Sequence, residues 1–250
     1  FIFASQPPMS WKIAAVGGAI LPYKGRQHWK SIHRSIKKGS DYKTEEEILK
    51  ILDILIECRV KGILMIGDVG HTSSDTAERF RKSWLDPHFN AIGKQPQYVR
   101  DSLKLHLDNL QGLSLQDFFK TLTILETISS FVQWMTSNLR QIRAIDIRKM
   151  KLIIDDQTKP QLISLRHFVH YFLQRRSQDG LFSVAPGSSH LMDKYLRKEG
   201  NQTFLDSTKL LDGMLVEDNA KQDDNHTELK IADLLSNFSR RVLEGQYGLP

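Results

Sequence analysis

The chain has 250 residues, 40% apolar and 26% charged, with a formal net charge of +6 and one cysteine. A single cysteine excludes a disulfide framework and a cysteine-type zinc site within the chain. No apolar run approaches the ~20 residues that cross a bilayer, and no charged segment followed by an apolar one marks a signal peptide. The expectation is one globular domain over 1–250 in a reducing cytoplasmic setting, with no membrane contact. The mild basic excess suits a polyanionic partner such as nucleic acid without requiring one.

In chain order, Trp11 to Leu21 is apolar around Gly17-Gly18 and predicts a buried strand with a bulge or close approach at the glycines. Gln27 to Lys38 predicts a basic helix carrying Lys30, Arg34, Lys37 and Lys38, most simply a solvated face. Thr44 and Glu47 form a capping-box pair, with Glu45 and Glu46 in the first turn. The helix they open is apolar around most of its circumference and is expected to be well buried. Val60 to Gly67 predicts a buried strand closed by Gly67-Asp68-Val69-Gly70.

Ser73, Ser74 or Asp75 can cap the next helix, which runs through Phe80 and Trp84 toward Phe89, and Gly93 to Gln97 predicts a loop. The polar segment from there to Leu110 carries no assignment. Ser114 opens the longest periodic helix, with one broad core stripe through Phe118, Leu122, Leu125, Ile128 and Val132. Lys151 to Asp156 predicts a short strand, followed by a helix through Phe168, Val169 and Phe172. Further strands are expected at Leu181 to Val184 and Thr208 to Val216. An acidic linker from Glu217 leads to a final helix containing Asp233. Strands alternating with helices argue one α/β domain, with a helical insertion or cap at about 72–143.

Two places can carry chemistry. Asp155 and Asp156 close a predicted strand, where α/β sheets collect ligand-binding groups. An acid ahead of Pro160 is equally a natural turn or capping residue. Asp233 lies opposite the stripe formed by Ile231, Leu234, Leu235, Phe238 and Val242, beside Ala232 and Ser236, which permit close helix approach. Its bland reading is a surface acid with Asn237 and Arg240 as polar neighbours. Asp68 reads as a third acid or, more simply, a turn residue. His71, His190 and His226 lack zinc-ligand spacing, and no phosphate loop, nucleophile elbow or dinucleotide fingerprint occurs.

Three pieces in order resemble the domain-of-unknown-function 3800 family. Ile13 to Leu21 resembles its apolar-Gly-Gly-apolar second strand, Leu152-Ile153-Ile154-Asp155 its central strand, and Leu229 to Leu235 with Arg240-Arg241 its closing helix. The resemblance implies a ribonuclease H-like mixed β-sheet flanked by helices. It also implies metal-dependent phosphodiester hydrolysis, with Mg²⁺ or Mn²⁺ held by Asp155 and Asp233 and with Asp156 replacing or assisting Asp155. Two departures stand out. Phe1 to Pro8 has no acid where the family opens with Asp-Glu-Ser-Gly, so that strand either lies upstream or is missing from the site. Ser35-Ile36-Lys37 stands where the family often has Glu-x-Lys. The competing expectations are a non-catalytic nucleic-acid- or protein-binding module on the same fold, using the basic surface from Lys24 to Lys43, and an unrelated α/β domain.

Overall fold

Local hydrogen bonding sets the helix starts. In the computed structural model, which describes residues 2–3, 13–20, 26–37, 41–68, 72–137, 152–155, 168–176, 195–199, 202–206, 214–217 and 227–245, α2 spans Glu45–Glu57. The Glu47 amide donates to Thr44 Oγ1 at 3.3 Å, and the Thr44 amide donates back to Glu47 Oε2 at 3.4 Å, which is the expected capping box. The Lys43 amide adds a 2.9 Å bond to the same oxygen. That bond, then the one from Thr44, then the nearby Lys37 ammonium, hold the Glu47 carboxyl below its ordinary value. A depressed carboxyl stabilises the fold above its unfolded value, and the contribution is lost as pH falls through the folded value. Thr44→Ala is expected to cost about 1 kcal/mol at neutral pH in urea denaturation. The stability difference between Glu47→Gln and the wild type should shrink on acidification.

The other helices are α1 (Arg26–Ser35), α3 (Ser74–Ile92), α4 (Gln97–Gln111), α5 (Leu115–Ser137), a helical stretch α6 at 168–176, and α7 (Thr227–Leu243). Ser73 caps α3 through the Thr76 amide, and Ser114 caps α5 through the Asp117 amide. Both starts agree with the sequence. The unassigned segment before Leu110 is α4. Its Leu103, Leu107 and Leu110 repeat at i, i+4 and i+7 and are all buried.

The strands are β1 (Ile2–Phe3), β2 (Ile13–Ile20), β3 (Lys61–Asp68), β4 (Leu152–Asp155), β5 (Leu196–Glu199), β6 (Gln202–Leu205) and β7 (Met214–Glu217). They pair in three separate patches. The first is an antiparallel β1-β2-β3 ladder with Ile13 opposite Asp68. The second is the parallel pair β4-β7, and the third is the antiparallel hairpin β5-β6. Strands exist within the expected runs Val60 to Gly67 and Lys151 to Asp156, as β3 and β4, and the end of the expected Thr208 to Val216 strand falls in β7. Leu181 to Val184 lies outside the described residues.

The α/β expectation, a ribonuclease H-like mixed β-sheet flanked by helices, is corrected: the described part of the chain is mostly helical. Apart from the stretch α6, its helices run 10 to 23 residues, whereas most strands are four residues or shorter, and no one mixed sheet joins them. The physical reason is where apolar surface is buried. The larger core is made by helices packing on helices: Leu85 of α3, Leu107 of α4, Phe118, Leu125 and Val132 of α5, and Phe168 and Leu173 of α6. Trp84 meets Phe118 edge-on at 5.7 Å and Phe168 at 6.0 Å, a geometry aromatic rings favour. Arg176 lies over the Phe172 ring and pairs with Glu126 at the rim of this core.

A smaller core joins Ile32 and Ile36, Tyr42, Ile48 and Leu55 of α2, and Ile231 and Leu234 of α7. It covers only one side of α2. Ile48 and Leu55 are buried, but Leu49 is 45% exposed and Ile56 71%. The expectation that α2 is well buried all round is therefore corrected. Leucine favours helix wherever it points, isoleucine tolerates it, and apolar residues on a surface are ordinary. Helix α7 lies against β2, β1, β3 and β4. Ala232 and Ser236, both fully buried, allow that approach. A Cβ on Gly62 of β3 would meet Leu235 Cδ1 at 2.9 Å, so the glycine also makes room for the helix. Ala232→Leu should push α7 off the strands and destabilise by about 1–3 kcal/mol in thermal denaturation.

Candidate functional site

Asp233 sits in the second turn of α7, between the fully buried neighbours Ala232 and Leu234, and is itself half-buried. Asn237, one turn later, donates from Nδ2 to Asp233 Oδ1 at 2.7 Å and to the Asp233 backbone carbonyl at 3.1 Å. Ser236 Oγ donates to the same carbonyl at 3.0 Å. Arg240 Nη1 bonds Glu244 Oε2 at 2.8 Å, and Arg241 Nη1 reaches across to the Tyr42 carbonyl at 2.7 Å. The last of these ties the end of α7 to the segment that leads into α2. Asp233 thus belongs to a polar rib along a helix whose apolar side is anchored in the smaller core.

Asp155 is the last residue of β4, and α7 packs against that strand. The elements bearing the two sequence-predicted acids are therefore neighbours, although 78 residue positions separate them in the chain (233 − 155). The β4-β7 register adds a third acid that the sequence reading assigned to a linker: Asp155 is paired with Glu217, the last residue of β7. A signal for it was present. Leu-Ile-Ile-Asp and Met-Leu-Val-Glu are both three apolar residues closed by an acid, and parallel strands end at the same edge. Asp68 closes β3 opposite Ile13, on a different ladder. Asp156, His71, His190 and His226 lie outside the described residues.

Carboxylate oxygens are the donors that Mg²⁺ and Mn²⁺ prefer, so Asp155, Glu217 and Asp233 have the right chemistry for such an ion. Among the described residues, no group of three or more His, Cys, Asp or Glu is gathered as a metal site. The basic surface expected from Lys24 to Lys43 is mixed in charge where it is described. Arg34, Lys37 and Lys43 share it with Asp41, and Lys37 pairs with Glu47 at 3.6 Å. Among the described residues no helix is long and apolar enough to cross a membrane.

No family model, no curated protein and no solved structure matches the chain.

Proposed function

We propose that the chain is a metal-dependent phosphodiesterase acting on nucleic acid, with Asp233 and Asp155 as its principal acids. The observation that carries this reading is the packing of α7, which bears Asp233, against β4, whose final residue is Asp155. Glu217, in register with Asp155, and Asp156, next to it in sequence, would complete an oxygen-donor set. A bound Mg²⁺ or Mn²⁺ supplies Lewis acidity toward the phosphoryl group. The chain's own part would be to supply negative oxygens from two packed elements. Asp233 is suited to this because its helix is anchored on both sides, by Ile231, Ala232 and Leu234 in the interior and by Arg241 on the Tyr42 carbonyl. The net charge of +6 favours approach of a polyanion.

Incubation of labelled single-stranded DNA, duplex DNA, RNA and hybrid with the protein in Mn²⁺ or EDTA tests the proposal. Cleavage that needs the metal supports it and names the substrate. Binding of any of these without cleavage would replace it with the reading of a non-catalytic binding module.

A further inference from the structure

We propose that the outer flank of α2 docks a basic amphipathic helix of another protein, with Leu49, Leu52 and Ile56 as the apolar seam and Glu46 and Asp53 as its acidic rim. The three apolar residues follow one another at steps of three and then four, the alternation with which one helix packs lengthwise along another. At 3.6 residues per turn they fall within about 60° of one another, and Asp53 and Glu46 lie within about the next 60°. Leu49 and Ile56 are exposed, and Leu52 is partly buried against the smaller core. The seam therefore begins where the packing inside the chain ends.

The helix is also a fixed platform. The Thr44–Glu47 box closes its start, and Ile48 and Leu55 hold its inner side. At its end the Val60 amide donates to the Leu55 carbonyl at 3.0 Å and the Arg59 amide to the Ile56 carbonyl at 2.8 Å, with Arg59 at φ 57°. That is the Schellman closure. A partner meets a preformed surface, so little of the binding energy is spent on ordering α2.

Charge selects the occupant. Helix α2 carries five acids, Glu45, Glu46, Glu47, Asp53 and Glu57, against one base, Lys50, on a chain whose net charge is +6. Glu47 is committed to the cap, whereas Glu46 and Asp53 are exposed beside the seam. An acidic rim repels a polyanion and suits a helix with Lys or Arg bordering its apolar stripe. A second copy of α2 laid antiparallel on the first would set acids against acids, which costs affinity.

The probe is a synthetic peptide of three heptads with Leu at both seam positions and Lys on both flanks. Its control has Glu in place of each Lys. Fluorescence anisotropy measures binding of each to the 250-residue chain, to Ile56→Ser and to the double variant Glu46→Lys, Asp53→Lys, with thermal melts to establish that each protein is folded. The wild type should bind the Lys peptide, less tightly as salt is raised, and bind the Glu peptide far more weakly. Ile56→Ser should weaken the Lys peptide about 5- to 30-fold, and the double variant should exchange the preference between the two peptides. Absence of Lys-peptide binding by the wild type would overturn the proposal, as would equal binding of both peptides or an affinity unchanged in both variants. A dimer in sedimentation that Ile56→Ser dissociates would overturn it in favour of a second copy. Binding of DNA or RNA that Ile56→Ser abolishes would overturn it in favour of nucleic acid on this face.

Discussion

Asp233→Asn is expected to lose Mn²⁺-dependent cleavage by more than the roughly 10- to 100-fold carried by outer partners of a metal ligand, with little change in melting temperature. The substitution keeps the shape and removes the charge. An asparagine at 233 still offers an oxygen to the Asn237 amide, so the rib of Asn237, Arg240 and Glu244 is preserved. The unchanged side-chain volume keeps the stability change near the ordinary ~1 kcal/mol of a point substitution. What disappears is a hard anionic donor, and a neutral amide oxygen neutralises none of a divalent cation's charge. Cleavage kinetics over a range of Mn²⁺, beside a thermal melt of each protein, make the measurement. Full activity in the variant would remove Asp233 from the site and the proposed function with it.

The second large effect is expected at Phe168. Its side chain is fully buried in the helical core, with ring centroids 6.0 Å from Trp84, 5.6 Å from His88 and 5.5 Å from Tyr171. Phe168→Ala removes contacts to α3 and within α6 at once and leaves a cavity whose walls are whole aromatic rings that relax poorly. The cost should be about 3–5 kcal/mol, which for a chain of this size is a fall of roughly 6–20 °C in melting temperature. Ile56→Ser, at a residue 71% exposed on α2, should change stability by less than about 0.5 kcal/mol. Equal losses from the two substitutions in thermal denaturation would contradict the assignment of the core to the packed helices.

Apolar count alone misjudged α2. Ile48 and Ile56 are the same residue type on the same helix, but Glu46, Lys50, Asp53 and Glu57 recur at i, i+4, i+7 and i+11, are all exposed, and mark the open side opposite Ile48 and Leu55. Ile32, Ile36, Ile231 and Leu234, which come from other elements, cover only that opposite side. The fold class was misjudged for a related reason. Short apolar runs suggest strands of one sheet, while the buried stripe of α4, Leu103, His106, Leu107 and Leu110, is narrow, includes a histidine and gives little apolar signal. With α4 in place, α3 to α6 make a core of their own and helix predominates.

For the candidate site, Asp155 and Asp233 were legible as acids at the end of a strand and on a late helix. Their presence on adjoining elements was not, nor was the place of Glu217. Parallel strands β4 and β7 are paired across a gap of 58 residues between Asp155 and Met214, and a four-residue run states nothing about its partner.

By itself the sequence determined what is settled within about four residues: the Thr44–Glu47 box, the start of α3 within Ser73 to Asp75, the start of α5 at Ser114, the long stripe of α5 and the extended runs of β2, β3 and β4. Their hydrogen bonds and periodicities are local, so residue order suffices. The tertiary structure alone decided which strands pair and that α7 packs against β4, the strand that Asp155 closes. These are contacts between distant segments, and they are chosen by the complementary shapes of buried surfaces such as Ala232, Ser236 and Gly62, which no single segment encodes.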